Sequence, residues 1–184
     1  GSVGIGHTRW ATHGVPNNIN AHPHSDGSGK ISLIHNGIIE NYSALREALE
    51  REAVEFQTDT DTEVLVQLIG KIYSSDSLTF AEAVKVALQD TIGTYGIATI
   101  CSDEPDTLVG ARLGSPLVLG LGDGEQFLAS DASPIIPHTR NVVYLDDGDL
   151  VEINKSNYEV RRIGDNKPVN KVIERIEYNL EEIE

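Results

Sequence analysis

The sequence holds one cysteine, one tryptophan, no methionine and only 5% aromatic residues. A single cysteine, Cys101, cannot close an internal disulfide, so the core has no covalent staple and a reducing cytoplasm suits the chain. Cys101 ends the apolar run Ile97-Ala98-Thr99-Ile100-Cys101, where a small buried thiol is its ordinary role. Cations are scarce too: 14 Lys and Arg stand against 29 Asp and Glu, a formal charge of -15. Phosphate neutralisation needs clustered cations, so this balance argues against a nucleic-acid partner and reads as a solubility feature. No apolar run approaches the length of a membrane span, and no charged-then-apolar leader precedes the first motif. A serine-nucleophile motif is also missing, since Gly114-Ser115-Pro116 lacks the second glycine of Gly-x-Ser-x-Gly. The ends look cut, because the chain opens on Gly1-Ser2 and stops at Glu184 without a capping glycine or proline.

What is present fits one domain: 184 residues without a break in composition. Val3 to Trp10 reads as a strand, and Ala11 to Gly29 as a long polar loop rich in turn formers. Lys30 to His35 reads as a second strand that ends in a tight turn at Asn36-Gly37. Asn41 is a good N-cap for a helix to about Ala53. Thr60-Asp61-Thr62-Glu63 has the order of a capping box ahead of Val64, Leu65, Leu68, Ile69 and Ile72 at helical spacing. The same Thr-x-x-Glu order recurs at Thr79 and Glu82. From Gly93 onward come short apolar runs, with Gly122-Asp123-Gly124 and Asp146-Asp147-Gly148 as hairpin turns between antiparallel strands. This order predicts an α+β layered domain with segregated helices.

The chemistry gathers early. His7-Thr8-Arg9-Trp10-Ala11-Thr12-His13-Gly14 packs a cation, imidazoles, hydroxyls and the tryptophan into eight residues. Arg9 is either an ordinary ion-pair partner or a planar clamp for a carboxylate. Asp61 supplies the opposite charge that an α-amino group needs. Asn36-Gly37 is a turn dipeptide and equally a competent oxyanion hole, with a side-chain amide beside a backbone N–H. Trp10 is either core or the wall of a pocket mouth. Five of the six histidines fall at positions 7, 13, 22, 24 and 35, which raises a metal site. His22-Pro23-His24 has no helical ligand spacing and no Cys or Glu beside it, so imidazoles that shape a loop are the simpler account.

His-Thr-Arg-Trp-Ala-Thr-His-Gly at 7–14, Asn-Ala-His-Pro-His at 20–24, His-Asn-Gly-Ile-Ile-Glu-Asn at 35–41 and Thr-Asp-Thr-Glu at 60–63 resemble the glutaminase domains of the glutamine:fructose-6-phosphate aminotransferases, a branch of the class II glutamine amidotransferases. Gly114-Ser115-Pro116-Leu117, Ala129-Ser130-Asp131 and Gly148-Asp149 extend the resemblance across the chain. It implies a four-layer αββα sandwich of the N-terminal-nucleophile hydrolase type, with an N-terminal cysteine as nucleophile. Residue 1 here is glycine. The resemblance therefore implies that the first strands and the catalytic cysteine are not in this sequence, and that residues 1–184 bind glutamine at best. By the same resemblance, Arg9, Thr12 and His13 hold the glutamine α-carboxylate end and Asp61 holds its α-amino group. Asn36 and Gly37 form the oxyanion hole, Trp10 gates ammonia, and His22 supports the pocket loop. No metal and no cofactor is implied. The implied partners are L-glutamine and a sugar isomerase domain of the same longer chain, in a cytoplasmic homodimer that makes glucosamine 6-phosphate from fructose 6-phosphate. A non-catalytic amino-acid-binding or scaffold domain is the rival expectation.

Overall fold

The computed structural model describes residues 3–8, 17–75 and 77–177. In chain order the elements are β1 (His24–Ser25), β2 (Ile31–Ile39), α1 (Tyr42–Arg51), α2 (Asp61–Ser75), α3 (Phe80–Gln89), β3 (Gly93–Cys101), β4 (Leu108–Leu113), β5 (Val118–Leu121), β6 (Gln126–Ala129), β7 (Asn141–Tyr144), β8 (Asp149–Ile153), β9 (Tyr158–Arg162) and β10 (Glu174–Arg175). They form a six-stranded sheet, β1-β2-β3-β4-β8-β9, and a four-stranded sheet, β10-β7-β5-β6. All the strand pairs within the two sheets are antiparallel.

Hydrophobic residues sort the layers. Leu65, Val66 and Ile69 of α2 and Phe80, Val84 and Ala87 of α3 bury one face of the larger sheet, meeting Ile31, Leu33, Tyr95, Ile97 and Val109. Val151, Ile153 and Val160 on its other face pack against Leu119 and Val143 of the smaller sheet. β3 lies in the middle and reads apolar along its length because both of its faces are covered. The outer face of the smaller sheet buries Val118 and Val142 under Ile135. Ile135 comes from the turns at 131–138.

The helix starts are made as expected in one case and differently in two. Thr79 and Glu82 complete a reciprocal capping box at α3: the Thr79 hydroxyl accepts from Glu82 N–H and the Glu82 carboxylate accepts from Thr79 N–H. At α2 only half of the box forms. Thr60 Oγ1 accepts from Glu63 N–H at 3.2 Å, but the buried Glu63 carboxylate turns to the N–H groups of Gln57 and Thr58 at 2.8 and 2.6 Å. Those donors arrive from the incoming loop and outcompete the cap. Asn41 sits at the N-cap of α1 without capping it; its amide bonds Asp90 O and accepts from Ile92 N–H instead, tying the start of α1 to the end of α3.

Four departures concern the strands and their turns. Val3–Thr8 is not a strand, because no ladder partner lies beside it among the described residues. The two-residue β1 lies inside the stretch expected to be loop, too short for any alternation to show. Asn36-Gly37 is no turn: β2 runs straight through it, with Asn36 opposite Gly96 and Gly37 opposite Tyr95. Gly37 adopts φ +123, and a Cβ there would lie 2.2 Å from Thr94 O. The glycine is thus required by a kink inside a strand. Similarly, Asp146-Asp147-Gly148 joins β7 to β8 across the two sheets and closes no hairpin, whereas Gly122-Asp123-Gly124 does turn β5 into β6.

Candidate active site

β2 organises the site. Its pairing to β3 directs one set of backbone groups away from β3, and side chains from three directions meet them. Ile31 N–H donates to Asp26 Oδ1 at 2.8 Å, His35 N–H to His22 Nδ1 at 3.3 Å, and Ile39 N–H to Asp61 Oδ2 at 2.8 Å. The period-2 alternation of a strand places Gly37 N–H on that same edge, between the last two. Asp61 opens α2 and is buried, so the helix N-terminus stabilises its carboxylate while Ile39 takes one oxygen.

His35 is anchored on both ring nitrogens. Nδ1 lies 3.1 Å from Thr62 Oγ1 and Nε2 lies 3.2 Å from Thr94 O. Thr94 O is thereby engaged by the imidazole, and Ile38 N–H donates to the Thr94 hydroxyl at 3.3 Å. The kink at Gly37 and the capture of Thr94 O belong to one local arrangement. Opposite Gly37, Tyr95 is buried, which pushes its phenol up to about 12 and keeps it neutral around the site.

The imidazoles of His7, His22 and His24 gather beside β2. His7 Nε2 lies 2.7 Å from Asn36 Oδ1, and the His7 ring stacks on His22 with centroids 4.3 Å apart and planes 21° apart. His22 meets His24 edge-on at 5.0 Å, and His24 Nε2 lies 3.3 Å from Thr60 Oγ1. Among the described residues no His, Cys, Asp and Glu side chains form a cluster able to hold a metal ion. These contacts order the loop instead.

Of the residues singled out in the sequence, Asn36, Gly37, Asp61 and His22 come together along β2. Arg9, Trp10, Thr12 and His13 lie outside the described residues. His7 and His35 stood in the motifs at 7–14 and 35–41 without a role, and their hydrogen bonds to Asn36 and Thr94 depend on contacts 29 and 59 residues apart in sequence. A cleft of about 1260 Å³ opens elsewhere, between the 19–30 loop and α2. Asn36, Gly37 and Asp61 do not line it, and its size alone gives it no chemistry.

Residues 1–174 match the glutamine amidotransferase domain family, and the chain belongs to that family. Within it, the chain is 54% identical over 184 residues to the isomerizing glutamine--fructose-6-phosphate aminotransferase of Chlorobaculum tepidum, covering 100% of this chain and 30% of that protein. It is 48% identical over 181 residues to the enzyme of the same name from Thermococcus kodakarensis, covering 98% and 30%. The chain therefore spans about 30% of the length of these relatives. Among solved structures, the glutamine phosphoribosylpyrophosphate amidotransferase from B. subtilis superposes with a TM-score of 0.68 at 27% identity, over 87% of this chain and 34% of that one. An allosteric regulatory enzyme of purine biosynthesis superposes with a TM-score of 0.70 at 26% identity, over 87% and 35%. The fold is the N-terminal-nucleophile hydrolase sandwich.

Proposed function

We propose that this chain is the glutamine-binding part of a glutaminase that supplies ammonia for the conversion of fructose 6-phosphate to glucosamine 6-phosphate. The carrying observation is the spacing along β2. Ile39, whose N–H donates to Asp61, lies two residues beyond Gly37. At roughly 3.3 Å per residue, the strand position that holds Asp61 and the one that carries the oxyanion N–H are about 7 Å apart. That matches the reach of an extended glutamine from its α-amino nitrogen to its carboxamide oxygen. Asp61 takes the ammonium, Arg9 with Thr12 and His13 takes the carboxylate, and Trp10 closes the ammonia exit. His22 holds the pocket loop by accepting from His35 N–H.

Attack of a thiolate on the carboxamide carbon generates a tetrahedral oxyanion, which Asn36 Nδ2–H and Gly37 N–H stabilise. Collapse, with the proton given up by the thiol passed to the departing nitrogen, expels ammonia and leaves a glutamyl thioester, which water hydrolyses to glutamate and free thiol. Cys101 is not that thiol. It is buried and pairs with Ile31, five residues along β2 from Asn36, roughly 17 Å away at the strand rise. Cys101 is the one cysteine of this sequence, so on this proposal the nucleophile, like the sugar isomerase domain and the homodimer contacts, belongs to a longer enzyme.

The test compares the 184-residue chain with the longer enzyme that contains it. The chain alone should bind glutamine calorimetrically and release no glutamate; turnover by the chain alone would sink the assignment of the nucleophile. In the longer enzyme, Asp61→Asn should raise the KM for glutamine on the order of tenfold or more, as loss of a charge-assisted contact requires. Glutamine binding without hydrolysis in the longer enzyme would favour a non-catalytic amino-acid-binding domain.

A further inference from the structure

We propose that His7 is the positioning residue that fixes the orientation of the Asn36 amide; this rests on the oxyanion role of Asn36 proposed above. A carboxamide has a donor end and an acceptor end. Only the Nδ2 end stabilises a developing negative oxygen, and the flipped amide would set its own oxygen lone pairs against it. The intrinsic difference between the two flips is small, so something outside the residue has to select one.

His7 makes that selection. Its Nε2 stands 2.7 Å from Asn36 Oδ1, an atom that can only accept, so the proton of this bond is on His7 Nε2. With Oδ1 held, the Nδ2 end is directed to the other side of the amide. His7 is itself held by the strand it serves: its ring stacks on His22 at 4.3 Å, and His22 Nδ1 accepts from the N–H of His35, the residue just before Asn36. His22 therefore keeps a bare Nδ1, and His24 packs edge-on to its ring at 5.0 Å. The chain of contacts from Asn36 through His7 and His22 to His35 closes on β2. Any shift of the strand carries the selecting imidazole with it.

Two measurements test this. In the 184-residue chain, nitrogen NMR of the imidazoles should show a proton on His7 Nε2; a bare Nε2 would overturn the proposal. In the longer enzyme, Asn36→Ala should lower kcat for glutamine hydrolysis on the order of a hundredfold or more. His7→Ala should lower kcat roughly tenfold with little change in KM, and the double variant should be no slower than Asn36→Ala alone. His7→Gln, which keeps an N–H donor, should recover most of the loss even where His7→Ala folds poorly. If Asn36→Ala leaves kcat intact, the oxyanion assignment itself fails. If Asn36→Ala is slow while His7→Ala is not, or if the two losses multiply in the double variant, His7 does not act through Asn36.

Discussion

At the scale of single residues, Gly37 is the position where local geometry and chemistry are hardest to separate. Its φ of +123 puts it in a region that L side chains rarely adopt, and an added Cβ would meet Thr94 O at 2.2 Å, a backbone atom that cannot swing away. Gly37→Ala should therefore destabilise the chain by on the order of 3 kcal/mol, read as a lowered denaturation midpoint with an unchanged slope. A midpoint close to that of the parent chain would show that β2 can straighten at this point and that the kink is not imposed by packing. The sequence offered Asn36-Gly37 both as a tight turn and as an oxyanion hole, and the strand pairing overturns the turn. Asn-Gly is the common signature of a tight turn, and only the pairing of Gly37 with Tyr95, 58 residues away, reveals a strand interior. Asp61 was legible for a sounder reason: a carboxylate in a first helical turn needs only local spacing, and Ile39 N–H confirms its placement beside the strand.

At the scale of elements, the two Thr-x-x-Glu sequences look alike and behave differently, so their energetic roles differ. The box at α3 is reciprocal and local. The N–H and hydroxyl of Thr79 hold the Glu82 carboxyl below its ordinary value of 4.5. A carboxyl lowered in the folded state adds stability above about pH 4.5, and that contribution is lost as the pH falls through the folded value. Thr79→Ala should cost about 1 kcal/mol near neutrality, and the gap between parent and variant should narrow on acidification below the ordinary glutamate range. Thermal melts of both proteins across that range check it; a gap that widens toward low pH would contradict the cap. At α2 the equivalent glutamate serves Gln57 and Thr58, a loop whose approach no local pattern announces. Helices and the later strands were readable because their periods are local, whereas sheet partners were not. Asp146-Asp147-Gly148 looked like a hairpin because turn chemistry is the same whether the chain returns to its own sheet or crosses to the next.

At the scale of the whole molecule, the two sheets are joined by more than the apolar layer between them, and the crossover at 146–149 carries a buried ion pair. Asp149 is completely buried, its Oδ2 accepts from Asp146 N–H at 2.8 Å, and the same oxygen is paired with Lys171. Arg162 stands 3.3 Å from the other oxygen, a charge pairing without hydrogen-bond geometry. Lys171 also reaches Asp146 at 2.7 Å, holding that carboxyl below its usual range. Nearby, Val169 N–H donates to Val160 O in the larger sheet, and β10 pairs with β7 in the smaller one. The segment from Val169 to Arg175 thus straps both sheets, with Lys171 as its buried pin. Lys171→Met keeps the length of the stem but leaves the buried Asp149 carboxylate with only Asp146 N–H and the looser Arg162 charge, and should cost about 3 kcal/mol. Adding Asp149→Leu to that variant removes the stranded charge and should return part of the loss, since the two residues form one pair. Denaturant unfolding of the two single variants and the double variant measures the coupling. Losses that simply add would mean that the strap is held by its backbone ladder and that the buried charges contribute independently.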